Sequence, residues 1–377
     1  MFTISRRQIL CASTLWLAGL SGVRAQSTKP YTLWVEADLA SRSNGMGPAI
    51  VQGVNEALLA KPELAKWIDI QVINHQGNPD RLVDQLNALA KVSDLKRVIG
   101  MVGGGDGNLA PIAARWALGS QMPYLMTWAS NPRMLAQIQA ETQTQAYLLR
   151  KAVTDDVVFD HYLESLQQSG KKRWGLMLVN DGLGRASYDY ILESAMSSSG
   201  GIELVGVHWH DINAAQISMQ YQSLKQRGAQ SIFMVTHPYA VQNLAKALVT
   251  TMALSEPSRK QQPIIPIICS SNAWSPQPMN ASLQALSRAP FYFALPQNWQ
   301  SSPSKEPVVG FTNLLTQEWL GALSQTKLSS NSSLGRTPLL AQLLPPSAWQ
   351  DERLAMQFAR YGKQGEVTFT HLSSAWD

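Results

Sequence analysis

"IGMVGGGDGN", Ile99 to Asn108, places Gly103, Gly104, Gly105, Asp106 and Gly107 directly behind an apolar run. A loop so bare after a strand-like segment has two readings. Gly105-x-Gly107-x-x-Ala110 loosely fits a dinucleotide fingerprint, which would make the protein a dehydrogenase. Alternatively, the loop opens a helix and offers backbone N–H groups to another small ligand. A dinucleotide fold carries its glycines after the first strand and a ribose-binding acid roughly 20 residues further on. Here they follow the third strand, and no Asp or Glu occurs between Asp106 and Glu141. An NAD-dependent oxidoreductase therefore ranks last among the readings, and no cofactor is expected.

Working outward, apolar strand-like runs alternate with amphipathic stretches. Strands are predicted at 31–36, 68–74, 97–102, 123–127, 173–179, 202–208, 231–235 and 264–268. Helices are predicted between them, for example Pro48–Ala60, where Ile50, Val51, Val54 and Leu58 share a face. In "GNPDRLVDQLNALAKV", Asn78 serves as cap, Pro79 takes the first helical position and Asp80 the first turn. Strands flanked by helices on both faces imply an α/β fold with parallel sheets. The order repeats, since "RVIGMVGGGDG" has a counterpart in "RWGLMLVNDGLG", Arg173 to Gly184. Two similar α/β lobes follow, changing over near Arg150–Thr154. Near the end, Pro345-Pro346-Ser347 predicts a last helix to about Tyr361, and "EVTFTHLS" a final strand.

The first 25 residues read as an export signal rather than part of the fold. Arg6 and Arg7 give a basic start, Ile9–Leu20 is apolar, and Val23-Arg24-Ala25 suits cleavage after Ala25. "SRRQIL" also fits a twin-arginine motif, which would export the protein already folded. A periplasmic location is expected. The full chain's net charge of +5 falls to +2 without Arg6, Arg7 and Arg24, and no Lys/Arg cluster tracks a groove, so nucleic acid is excluded as a partner. Only Cys269 remains after cleavage, so no internal disulfide forms.

Catalytic motifs are absent. There is no G-x-S-x-G elbow and no H-E-x-x-H helix. "SGKKRW" lacks the upstream glycine and the hydroxyl residue of a phosphate loop. His208 and His210 share a strand face, but two ligands at a strand end make a poor metal site, and both read as surface histidines. Cys269, after "PIIPII", reads as a small buried apolar residue. Trp128 suits either packing or capping a ligand. No enzyme and no metal site are expected.

Positions 31 to about 296 resemble the type I periplasmic binding proteins, specifically their branched-chain amino acid and amide-binding branch. The resemblance is carried by "NGMGPAIVQGVNEALLA", "NHQGNPDRLVDQLNALAKV", "VIGMVGGGDGNLAPIAARWA", "MPYLMTWASNPRML" and "GLMLVNDGLGRASYDYILESA", in this order and spacing. It implies two Rossmann-like lobes with parallel sheets, 26–149 plus about 297–365 and 150–296 plus about 366–377, joined by a hinge of three crossings. It also implies a monomer that closes over a small polar ligand and hands it to an ABC permease. A periplasmic sensor, partnered with a membrane histidine kinase or chemoreceptor, is the alternative on the same fold. Carried over position by position, Asn44, Gly104, Gly105, Asp106, Trp128, Ala129 and Ser130 line the cleft from lobe one. Leu183, Thr236 and Ser271 do so from lobe two.

The sequence departs from that pattern at telling places. Leu183 stands where amino-acid binders have a tyrosine, and Ser271 where they have a glutamate for the ligand ammonium. The glycine triplet replaces hydroxyl side chains, which implies a wider site with only backbone donors. A buried ammonium needs an anionic partner, so an α-amino acid ligand requires Asp106 or Asp181 to replace the missing carboxylate. Asp106 equally fits a helix cap.

Overall fold

The computed structural model describes residues 29–40, 45–142, 147–197, 201–211, 216–254, 264–278, 280–324, 356–364 and 366–376. The export signal, Asn44 and the Ser-rich stretch 324–338 beyond its first residue lie outside these.

Lobe one is built from β1 (Tyr31–Ala37), α1 (Met46–Leu59), β2 (Ile68–Asn74), α2 (Pro79–Val92), β3 (Val98–Gly103), α3 (Ala110–Gly119), β4 (Tyr124–Met126), α4 (Met134–Thr142) and β5 (Leu148–Arg150). Its five strands run parallel in the order β2-β1-β3-β4-β5. β3, second from neither edge, is buried along its whole length, which is why "VIGMVG" is apolar throughout rather than alternating. The cap signals before α2 act as expected, with the Asn78 side chain accepting from the Arg81 N–H at 2.9 Å.

Lobe two repeats the plan. It contains α5 (Asp155–Gln168), β6 (Arg173–Val179), α6 (Gly182–Ser197), β7 (Glu203–His210), α7 (Ile217–Gln226), β8 (Ser231–Val235), α8 (Pro238–Leu254), β9 (Ile267–Cys269), α9 (Asn280–Arg288) and β10 (Phe291–Pro296). The strands β7-β6-β8-β9-β10 are parallel and reproduce the lobe-one order. β9 starts three residues later than predicted because Pro266, lacking an N–H, cannot donate to the ladder; its carbonyl accepts from Ile232 instead.

The C-terminal segment divides between the lobes. α10 (Pro307–Ser324) packs on α1 of lobe one. Gly53 permits this close approach, since a Cβ there would meet the Val309 carbonyl oxygen at 2.6 Å. β11 (Met356–Tyr361) and β12 (Val367–Thr370) instead extend the lobe-two sheet as an antiparallel hairpin beside β10. The stretch 297–365, expected with lobe one, is therefore split. The helix predicted to reach Tyr361 is a strand from Met356 onward. Its residues favour a helix locally, but pairing with β10 buries Phe358, Ala359 and Tyr361 and overrides propensity. The chain thus passes between lobes after β5, after β10 and again between α10 and β11.

His210 also departs from expectation: it is buried, not on the surface, with Nε2 3.0 Å from Thr236 Oγ1. Cys269 is fully buried in β9, and burial pushes its thiol far above the usual range. Among the described residues no helix is long and apolar enough to cross a membrane, and no group of three His, Cys, Asp or Glu could hold a metal.

Candidate functional site

In a parallel sheet of order 2-1-3-4-5, the loops leaving the first and third strands run to opposite faces and open a crevice at the strands' carboxyl ends. Each lobe has such a switch point, β1/β3 in lobe one and β6/β8 in lobe two. The two crevices face each other across a cavity of about 560 Å³. Its walls come from both lobes: Glu36, Asp38, His75, Asp106 and Asn108 from the first, Asp181, His237, Tyr239 and Asn272 from the second. Met46, Ile50, Leu109, Pro111 and Ile112 supply an apolar side.

Glu36, the penultimate residue of β1, is the centre of the lobe-one wall. Its carboxylate lies 2.6 Å from His75 Nε2, and both side chains are only 1% exposed. Oε2 also accepts from the Gly104 N–H and the Tyr124 hydroxyl, each at 2.8 Å. Burial opposes ionisation of Glu36, but His75 and these donors outweigh it and hold the carboxyl below its ordinary value. Burial likewise opposes a charged His75, yet Glu36, with Asp106 and Asp38 further off, raises the imidazole.

The glycine loop is explained by this carboxylate. A Cβ on Gly103 would run into Glu36 Oε2, and one on Gly105 into Ile50. Gly104 adopts φ +81°, a left-handed conformation that costs other residues strain, and thereby turns its N–H onto Glu36. The missing side chains are thus filled by Glu36, Ile50 and Met46; they do not widen the site. Three of the backbone donors around the loop are engaged within the protein. Gly104 N–H serves Glu36, while the Asn108 and Leu109 N–H groups donate to Asp106 Oδ1 at 2.8 and 3.3 Å. Asp106 therefore caps the turn into α3 and lines the cavity as well.

Lobe two mirrors this with Asp181, whose Oδ1 accepts from the Leu183 and Gly184 N–H groups at the start of α6. Its Oδ2 lies 2.7 Å from His237 Nε2. Burial works against the charge of both partners, but their mutual attraction lowers the Asp181 carboxyl and raises the His237 imidazole. Asn108 joins the lobes, its Nδ2 donating to Asp181 Oδ2 and its Oδ1 accepting from the Leu183 N–H, both at 3.0 Å. Glycines again allow the approach: a Cβ on Gly182 would lie 2.9 Å from Asn108 Oδ1, and one on Gly107 3.1 Å from Leu183.

Of the residues expected at the cleft, Gly105 and Asp106 line it. Gly104 lies behind the wall as a donor to Glu36. Trp128, Ala129 and Ser130, in the loop after β4, are buried. Trp128 packs edge-on against Phe311 and donates from Nε1 to the Ser271 carbonyl at 3.2 Å. Ser130 accepts from Asn272 Nδ2, so it lies beneath a lining residue. Leu183 is buried under Gly107, Thr236 is buried against His210, and Ser271 donates to the Val153 carbonyl at 3.0 Å. Asn44 lies outside the described residues.

Sequence reasoning passed over Glu36, Asp38, His75, Asn108, His237, Tyr239 and Asn272. Position could have found most of them: Glu36 is next to last in β1, His75 follows β2, and His237 follows β8 by two residues. In an open parallel sheet, polar residues at the carboxyl ends of strands face the crevice.

No protein-family model matches the sequence, and no curated protein matches it. Solved structures do. A possible leucine/isoleucine/valine-binding protein from Rhodopirellula baltica superposes with a TM-score of 0.71 at 13% identity, over 94% of this chain and 100% of that one. A periplasmic binding protein type 1 from Bordetella pertussis gives 0.68 at 15% identity, over 91% and 100%. A fatty acid ABC transporter substrate-binding protein from Thermomonospora curvata gives 0.65 at 14% identity, over 92% of both chains. At such identities the likeness carries the fold, and the different ligands these neighbours are described by show that the fold alone does not select one.

Proposed function

We propose that this chain, which has the type I periplasmic binding protein fold, is an exported solute-binding protein. It closes two lobes over a small ligand and delivers it to an ABC importer, without catalysis. The observation that carries this reading is the cavity of about 560 Å³ at the facing switch points, walled by side chains of both lobes. That volume lies within the range of small-molecule sites, roughly 300–1,000 Å³. A ligand held there touches both lobes at once, so its binding energy favours the closed arrangement over an open one. Asn108, the Trp128–Ser271 contact and the Ser130–Asn272 contact would form and break with that motion. Gly105 and Asp106 would contact the ligand from lobe one; Trp128, Ala129, Ser130, Leu183, Thr236 and Ser271 would shape the ground on which the lobes meet. The structural neighbours described as ABC transporter substrate-binding or amino-acid-binding proteins favour transport.

The test is a thermal-shift screen of the purified mature protein against amino acids, amides, amines and carboxylates, followed by small-angle scattering with any hit. A hit should raise the melting temperature and reduce the radius of gyration. No stabilisation by any compound at millimolar concentration would refute the reading.

A further inference from the structure

We infer that closing of the two lobes takes up one proton from solvent at Asp155, so that an acidic medium favours the closed cleft and the capture of its ligand. This rests on the solute-binding reading, which supplies the motion; the residues at the first crossing then decide what regulates it.

Position is the first ground. Asp155 is the first residue of α5, directly after the chain has left lobe one, and it is tied to both lobes. Its N–H donates to the Ser130 carbonyl, in the loop after β4 of lobe one, and its Oδ2 accepts from Ser187 of α6 in lobe two at 2.7 Å. The Ser130 hydroxyl in turn accepts from Nδ2 of Asn272, which lines the interlobe cavity from lobe two. A single residue, Ser130, therefore separates Asp155 from the cavity wall. Beside Asn272, Ser271 donates to the Val153 carbonyl at 3.0 Å and accepts the Trp128 indole N–H through its own carbonyl at 3.2 Å.

Burial is the second ground. With the lobes together Asp155 has no exposure to solvent, and Oδ1 has no hydrogen-bond partner among the described residues. A carboxylate with a bare, buried oxygen is costly, so the neutral acid is the favoured form. Asp156, next on α5, reinforces that preference, and Arg150, at the end of β5, opposes it. On the neighbouring helix α6, Arg185 is bonded to Asn180 and Glu193 to Arg133. Burial prevails and pushes the carboxyl up to about 7. Opening parts Ser130 from Asn272 and Trp128 from Ser271, water reaches the carboxyl, and the proton returns to solvent. The ratio of closed to open protein then rises as pH falls below about 7, by at most about tenfold per pH unit for one group.

The test is small-angle scattering of the mature protein without added ligand, between about pH 5 and about pH 8, with circular dichroism to confirm that it stays folded. The wild-type radius of gyration should rise with pH. Asp155→Asn keeps an acceptor for Ser187 but cannot ionise, so its radius should match the wild type in acid and stay smaller than it above about pH 7. Glu306 also lies at about 7 and accepts from Trp274 of lobe two at 2.9 Å, but it is common to both proteins, so the difference between them assigns the effect to Asp155. If Asp155→Asn does not fold, Asp155→Ser, smaller and equally unable to ionise in this range, takes its place. A wild-type radius that is flat or falls as pH rises overturns the inference, and so do superimposable profiles for wild type and variant. Either result leaves the solute-binding reading to the ligand screen, which measures stabilisation by a compound and not by protons.

Discussion

Asp155 offers the sharpest measurable consequence of how the lobes are joined. It opens α5 just after the first crossing, with its N–H donating to the Ser130 carbonyl of lobe one and its Oδ2 accepting from Ser187 of α6 at 2.7 Å. The side chain is fully buried, and Oδ1 has no hydrogen-bond partner among the described residues. Burial pushes the carboxyl from its ordinary 3.8 up to about 7, against the smaller lowering effects of Ser187, Ser130 and Arg150. The folded protein therefore keeps a proton that the unfolded chain has already lost, so stability falls as pH rises from 3.8 through about 7. Integrated between about pH 5 and about pH 8, this one group removes about 3 kcal/mol. Asp155→Asn preserves the shape and an acceptor for Ser187 but cannot ionise. Urea unfolding followed by tryptophan fluorescence at both pH values should show the wild type losing about 3 kcal/mol more than the variant. His75, His237 and Glu306 also titrate differently in the folded state, but they are common to both proteins and cancel in the difference. Parallel pH profiles for the two proteins would refute the assignment of a buried, protonated Asp155.

Four further outcomes follow from the geometry. Trp128→Ala should destabilise the protein by about 3–5 kcal/mol, the usual cost of emptying a buried aromatic site, whereas a fully stable variant that had lost its ligand would place Trp128 in the cleft after all. Gly104→Ala forces a side chain into φ +81° with its Cβ 3.0 Å from Met126, and denaturant midpoints should report a loss of about 1–2 kcal/mol or more. Asn108→Ala removes both bonds across the cleft, so scattering should show a larger mean radius of gyration without loss of secondary structure; an unchanged radius would deny Asn108 that role. Glu36→Gln leaves His75 buried beside a neutral amide, and NMR titration should find the imidazole lowered. Glu36 contributes above its ordinary 4.5 and His75 below its ordinary 6.5, so the variant's loss of stability should be largest between those values and shrink on either side.

The elements legible in advance were those whose local chemistry and final environment agree. β2, β6 and β8 fall at the predicted residues because their apolar runs end in polar residues, and α2 because Asn78, Pro79 and Asp80 mark its start. β11 was not legible, because its residues suit a helix until β10 is beside them. Among the candidate site residues carried over from the resembled family, Gly105 and Asp106 border the interlobe cavity. Trp128, Ser130, Thr236 and Ser271 were expected by alignment with a resembled family, but the structure turns Trp128, Ser130 and Ser271 into contacts between the lobes and buries Thr236 against His210 within lobe two.

The sequence by itself determined the α/β alternation, its duplication, and a loop that has to begin a helix without side chains. It could not say why the side chains are missing. That reason is long-range: Glu36, 68 residues before Gly104, occupies the space and takes its N–H. The pairing of Asp181 with His237, and of both lobes through Asn108, is equally a matter of which strand ends the fold brings face to face. Periodicity and capping are local and survive in the sequence; the charge of a cleft is a sum over distant segments, and only the folded chain adds it up.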